Sequence, residues 1–344
     1  MPTLELAKAS NTTFRPSYVP VAIFVGGTSG IGQSMAEAFA QYVGGKAHII
    51  IIGRNERAAE EIISRFPAST GYTHEFLPCD LRLMANVRAV CVEIRQKVDR
   101  VNFLVLTAGY ASMVTVPLTA EGLDLHLAMR FYQRFVFIKE LLPLLQRAKS
   151  LNQDAQAMSV LGAGRGSPSR PIELHNLGNT VTARVGRLGV AMRGLIMSSN
   201  YTDAMMGYFA SRNPTIAFTH IHPGIVSTPG MRNAVDFDGI LTPITWILNW
   251  VLPWFAVSPA VCAEHMLYAL LPNEETAQGG IFLRNHNGDV VSYRRFDEVV
   301  ELGDSDATGV LDGTSLTGYG ASDQAIHAVV THTEKVTASS FDID

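Results

Sequence analysis

The stretch Val25-Gly26-Gly27-Thr28-Ser29-Gly30-Ile31-Gly32 constrains this chain more than any other. It follows an apolar, β-branched run, Val19 to Val25, and opens a helix-forming stretch, Ile31 to Val43. Gly26, Gly30 and Gly32 are spaced G-x-x-x-G-x-G between the two. One glycine lets the chain turn tightly from strand to helix, the next lets backbone approach a pyrophosphate, and the last lets the helix pack close to a sheet. The first amides of that helix then point at the phosphates. The spacing predicts a phosphate-binding turn, because a strand and a helix flank it as such a motif requires.

The rest of the chain repeats the alternation. His48–Ile52 reads as a second buried strand, Asn55–Phe66 as a helix that starts at an Asn cap and stops before Pro67, and Tyr72–Leu77 as a third strand. Leu83–Val98 reads as a helix, Val101–Leu106 as a fourth strand entering Thr107-Ala108-Gly109, and Thr119–Lys149 as a long helix kinked or broken near Pro143. Gln156–Leu161 reads as a fifth strand, Asn179–Ala210 as a helix, Thr215–Ile221 as a sixth strand and Gly280–Leu283 as a seventh. Such alternation means βαβ units, hence an α/β fold: a doubly wound parallel sheet between two helical layers. The expected organisation is a lead-in over 1–18, a single domain over 19–300, and an extension over 301–344 with a helix over 321–336.

Composition excludes several classes. At 47% hydrophobic and 17% charged, the chain has ample material for a core and is not generally disordered. A net charge of −4 without a basic cluster argues against nucleic acid as a partner. Cys79, Cys91 and Cys262 lack C-x-x-C spacing and read as reduced thiols in a cytoplasmic protein. The first 18 residues carry no apolar core of signal-peptide length. His220-x-His222 lies on one strand face without a third ligand, so no metal site is expected.

Taken in order, these residues resemble the short-chain dehydrogenase/reductase family from about Val19 to Leu283. Gly26, Gly30 and Gly32 match its cofactor turn, with Val25 where threonine is usual, and Thr28, Ser29 and Ile31 belong to the same turn. Asp80-Leu81 matches the acidic residue beside the adenine, and Thr107-Ala108-Gly109 looks like a degenerate Asn-Asn-Ala-Gly. Pro223-Gly224-Ile225-Val226-Ser227-Thr228 matches the Pro-Gly-x-Val-x-Thr beside the nicotinamide. The resemblance thus implies cofactor contacts from Ala108, Gly109, Pro223, Gly224, Val226 and Thr228 as well. The wording of Glu121-Gly122-Leu123-Asp124, of Ser159–Arg165 and of Asn213–Ile216 is similar to fungal members of secondary-metabolite pathways. NAD binders carry an acidic residue after the second strand, to hold a ribose hydroxyl. This chain reads Gly53-Arg54-Asn55 there, and a cation suits the 2′-phosphate of NADP(H).

The family's proton relay, a Tyr with a Lys four residues later, is not legible. No Tyr lies between Tyr132 and Tyr201, and no Lys between Lys149 and Lys335. The resemblance puts Ser159 at the family's Ser, Arg130 where its helix Asn is expected, and Arg193 near the Tyr position as the stand-in cation. His175, Tyr132, Tyr201 or an Arg-polarised water remain as proton donors.

Gly239–Ala263 carries no charged residue and holds all three tryptophans, Trp246, Trp250 and Trp254. Pro243, Asn249 and Pro253 argue against a membrane span. In the resembled family this place holds the substrate lid, here 229–263, which implies a bulky hydrophobic small molecule. A shallow membrane contact or a homo-oligomer contact through the same surface stays open. The leading expectation is an NADP(H)-dependent oxidoreductase of a hydrophobic carbonyl or alcohol with a nonstandard catalytic site. The alternatives are a non-redox cyclase or isomerase on the same fold, using Ser159, Arg130 and Arg193 to polarise a carbonyl, and an inactive cofactor-binding subunit.

Overall fold

The protein is seen in a computed structural model that describes residues 2–110, 117–165, 172–178, 187–234, 254–296 and 323–338. Its centre is an eight-stranded sheet: β1 (Val21–Val25), β2 (His48–Gly53), β3 (His74–Pro78), β4 (Phe103–Leu106), β5 (Gln156–Val160), β6 (Ala217–Ile221), β7 (Gly280–Arg284) and β8 (Val290–Arg294). The order is β3-β2-β1-β4-β5-β6-β7-β8, parallel throughout except for the β7–β8 pair. The order reverses between β1 and β4, and sheets of this kind bind ligands outside the carboxyl ends at that point.

Every residue of β1, β4, β5, β6 and β7 is buried, as a parallel sheet covered on both faces requires. Side chains alternate between two cores. Ala22, Phe24, Ile49 and Ile51 face one side, where α2 (Gly30–Tyr42) and a helix over Pro259–Leu270 contribute Met35, Phe39, Cys262 and Met266. Ile23, Val25, Ile50 and Leu104 face the other, where α4 (Met84–Lys97) and α5 (Gln133–Ser150) pack. Tyr201 and Phe209 of α6 (Arg187–Arg212) join that second core.

Several elements differ from the sequence reading. Residues 4–11, read as lead-in, form helix α1 (Leu4–Asn11), whose Asn11 donates to Glu264 at 3.0 Å. Phe14 then stacks edge-on to Phe103 at 5.7 Å and near Phe39 at 6.2 Å. Helix α3 (Glu56–Ile63) starts at the Asn55 cap, whose side chain accepts the Ala58 N–H. Pro143 breaks nothing: α5 runs through it, because the proline lies on the exposed side, where water can take the freed carbonyl. The irregularity falls earlier, in a π-turn over Ala128–Tyr132 between a helical turn, Leu125–Leu127, and α5.

After β6 comes α7 (Pro229–Ala234). Residues 235–253, most of the expected lid, lie outside the described residues. Residues 259–263 begin α8 (Pro259–Leu270), which is uncharged there because Cys262 and Ala263 pack into the core beside α2. Trp254 and Phe255 stand out to solvent, 76% and 73% exposed. Helix α9 (Asp323–Ala338) lays Ile326, Val329 and Val330 into the core that α6 shares. Among the described residues no helix is long and apolar enough to cross a membrane.

Phe39 joins rings from α2, β1, β4 and the segment after α1, within 6.2 Å of Phe14, Phe24 and Phe103. Phe39→Ala is expected to cost about 3–5 kcal/mol of folding stability, read as a lowered urea midpoint with an unchanged slope.

Candidate active site

The turn after β1 is shaped by close approach. Gly26 has φ +84°, and a β-carbon on it would lie 2.7 Å from the Ala108 nitrogen. A β-carbon on Gly32 would overlap the Gly26 carbonyl. Ser29 sits at the N-cap of α2 without a capping side-chain bond, and no acidic residue occupies the first turn. The helix start therefore keeps its amides and its positive end for a ligand. This cradle fits the pyrophosphate of a dinucleotide. Thr107 ties the β4 turn to it, its hydroxyl donating to the Val25 carbonyl at 2.9 Å.

The other expected cofactor residues surround this turn. Thr28 packs against Gly53 at the end of β2, and Arg54 follows, exposed and with no ion pair among the described residues. Asp80 is held by Arg82, whose Nη2 lies 2.5 Å from Oδ2, and that bond keeps the Asp80 carboxyl below the usual range. Leu81 is buried in the core beneath. Across the cleft, the Thr228 methyl lies 3.1 Å from where a Gly30 β-carbon would be, and Val226 pairs with Val257. Thus Gly26–Gly32, Ala108, Gly109 and Pro223–Thr228 gather at the carboxyl ends of β1, β4 and β6, with Arg54 at the end of β2.

The expected catalytic residues are arranged differently from a simple triad. Ser159 is 0% exposed and its hydroxyl accepts from Arg134 Nη1 at 2.6 Å, so it is held by a cation rather than presented to open space. Arg134 also donates to the carbonyls of Leu106 at 2.6 Å, Ala108 at 2.5 Å and Val160 at 3.3 Å. One guanidinium thus joins the ends of β4 and β5. Burial pulls it down to about 9, and the charge of Arg130 adds to the shift. Arg130, in the π-turn, donates from Nε to Ser198 Oγ at 3.0 Å, and burial pulls it down to about 10. Arg193 lies on α6, and its side chain is outside the described ones. Tyr132 and Tyr201 are buried, with hydroxyls engaged by His332 Nε2 at 2.9 Å and by the Gly178 N–H at 3.3 Å, while His175 is exposed.

Two groups escape the sequence reading. Arg134 lies one helical turn from Arg130 among Phe131, Phe135 and Val136, and a second charge in so apolar a stretch is the signal that marks it. The other is a buried chain through His220. The Gly162 N–H donates to Nε2 at 3.1 Å, so the ring proton sits on Nδ1, which donates to Asp203 Oδ1 at 2.7 Å. Ser199 donates to the Gly162 carbonyl, so the segment after β5 is held at both backbone groups. His222, half-buried, accepts from Arg165 at 3.1 Å. Burial pulls His222 below its usual value. Both histidines of the pair are therefore committed to protein partners, and no cluster of three His, Cys, Asp or Glu gathers among the described residues.

Known proteins share this sequence pattern and fold. The model of the short chain dehydrogenase family matches residues 20–150. Oxidoreductase andH of Emericella variicolor is 33% identical over 252 residues, 73% of this chain and 70% of that protein. Oxidoreductase AN1596 of Emericella nidulans is 31% identical over 293 residues, 82% of this chain and 80% of that protein. Among solved structures, a Pseudomonas aeruginosa RhlG/NADP active-site complex superposes with a TM-score of 0.55 at 16% identity, covering 80% of this chain and 99% of that one. The chain belongs to the short-chain dehydrogenase family and is an oxidoreductase by that membership.

Asp203→Ala leaves the His220 Nδ1–H buried without an acceptor, and is expected to cost about 2–3 kcal/mol in urea unfolding. His220 is not exposed to the cleft, so NADPH affinity of the folded variant is expected to change less than that of a variant in the glycine turn.

Proposed function

We propose that the chain is a cytoplasmic, NADP(H)-dependent oxidoreductase of secondary-metabolite biosynthesis, acting on a bulky hydrophobic carbonyl or alcohol with a nonstandard catalytic site. The observation that carries the cofactor choice is Arg54. It follows β2 where a carboxylate would hold a ribose hydroxyl, and among the described residues it makes no ion pair, the nearby Asp80 being bound by Arg82. A guanidinium there matches a 2′-phosphate in charge and in its paired donors. The RhlG structure is an NADP complex, in keeping with this choice. The substrate reading rests on the uncharged Gly239–Ala263 stretch and on the exposed Trp254 and Phe255 at its described part. Human polyprenol dehydrogenase, 24% identical over 88% of this chain and 88% of that protein, is named for a bulky apolar alcohol.

A bound nicotinamide would supply a hydride. The chain's own part is binding and charge. The glycine turn and the uncapped start of α2 hold phosphates, and Pro223–Thr228 closes the opposite side. Arg134 at the carboxyl ends of β4 and β5, and Arg130 one turn before it, place two positive charges where they favour negative charge on a bound substrate. Ser159 acts as a positioning residue, fixing the Arg134 fork. Arginine is a poor proton relay, so the proton comes from water or another acid.

NADPH titration by fluorescence is the first test. Arg54→Ala is expected to raise the NADPH Kd about tenfold or more and leave NADH binding nearly unchanged. Equal NADH and NADPH affinity before and after the change would reject the NADP(H) reading, and binding without oxidation by any hydrophobic ketone would reject the redox one.

A further inference from the structure

Arg130 has more hydrogen-bonding capacity than the protein uses. Its Nε donates to Ser198 Oγ at 3.0 Å, and its two terminal nitrogens make no protein hydrogen bond among the described residues. Among the described residues no carboxylate lies within ion-pair distance of it. The nearby acidic groups are committed elsewhere: Asp124 Oδ1 accepts the Leu127 N–H at 3.1 Å, and Asp203 pairs with His220 at 2.7 Å. One turn along the same helical face stands Arg134, 0% exposed, also without a carboxylate, and with an Nε that has no partner.

Two cations four residues apart repel, and burying Arg134 without a counter-charge is costly, whereas Arg130 is half-buried. The dipoles of three carbonyls and a hydroxyl compensate Arg134. Among the described residues nothing comparable bonds the Arg130 fork. Its position says what would. The helix after β4 runs back antiparallel to the strands, so Arg130, on the N-terminal side of Arg134, lies nearer the carboxyl ends where ligands enter. A planar guanidinium with one edge occupied and the other free matches two oxygens sharing a negative charge.

We infer that the substrate carries a planar oxyanion, a carboxylate in the simplest case, which the free edge of Arg130 receives while Arg134 supplies the second charge beneath it. This rests on the reading above that Arg130 and Arg134 bring positive charge to the substrate near the carboxyl ends of β4 and β5, and it narrows that substrate from an apolar molecule to an apolar acid. A dinucleotide phosphate is the other source of the same charge, and the test separates the two.

The full chain is titrated by calorimetry with 2-naphthoate and with 2-naphthamide, a neutral probe of the same shape, both with saturating NADPH and without it. Naphthoate is expected to bind at least tenfold more tightly than naphthamide. Arg130→Gln is expected to erase that preference while the NADPH Kd stays within about twofold; Arg130→Lys, which keeps the charge and loses the fork, should retain only part of it. Thermal melts of each variant confirm folding, and the lysine variant serves if the glutamine variant does not fold. Equal binding of the two probes to the unsubstituted chain overturns the inference, as does a naphthoate preference that survives both substitutions. A loss of NADPH affinity in Arg130→Gln with the preference intact also overturns it, assigning the cation to the dinucleotide. Because the preference is also measured without NADPH, failure of the chain to bind or oxidise NADPH would sink the redox reading and leave this one standing or falling by its own measurement.

Discussion

Everything in the cleft depends on how near the turn after β1 comes to the turn after β4. With a β-carbon, residue 26 would stand 2.7 Å from the Ala108 nitrogen, a distance no packed side chain tolerates. Glycine with φ +84° removes that atom and lets two strand-ending turns touch at the point where strand order reverses. Thr107 and Ala108 then both donate to the Val25 carbonyl, at 2.9 Å from the hydroxyl and 3.2 Å from the amide. The start of α2 is consequently aimed over the joined turns. No part of this requires a side chain in the cleft, so the cradle depends on backbone geometry rather than on any particular catalytic group.

Beneath the joined turns the protein places a charge where an apolar side chain would fit. A buried guanidinium is costly, and it persists when its donors are matched to acceptors that would otherwise be unsatisfied. Arg134 meets this condition, because the Leu106, Ala108 and Val160 carbonyls mark the places where β4 and β5 stop pairing and their ladder ends. The same fork holds Ser159. Strand ends, serine and cation are therefore one unit. The π-turn just before it offsets the helix, so that Arg130 and Arg134 meet different partners: a hydroxyl on α6 for the first, the strand ends for the second.

What the sequence makes legible follows from period and from backbone need. Buried parallel strands are continuous apolar runs, so His48–Ile52 and Val101–Leu106 announce themselves, and the glycine spacing declares its turn. Elements whose reason is tertiary do not. Helix α1 has one buried alanine and a polar Asn11, and only the Glu264 carbonyl and carboxylate explain that asparagine. β8 alternates burial at an edge and carries Ser292 and Arg294, so it does not look like the buried runs. The first residues of α8 look like lid because both a lid and a core helix are apolar and uncharged. Ser159 was legible as a residue type, but that its hydroxyl is turned onto a cation depends on Arg134, 25 residues away in sequence.

The resemblance leads one to look for positive charge on the helix after β5, and between Lys149 and Lys335 there is no lysine to supply it. Arg193 of that helix has its side chain outside the described ones, and the described positive charge nearest the strand ends lies on the facing helix, at Arg130 and Arg134. The two arrangements are not equivalent. A lysine beside a tyrosine lowers the tyrosine's pKa and so moves a proton, whereas a guanidinium keeps its own proton and acts through its field and its fork. A cleft charged in this second way would favour bound negative charge over proton transfer. On the proposed reading, the glycine turn and the arginine pair make separable demands on what binds: phosphates at the start of α2, and an oxyanion at the π-turn before α5.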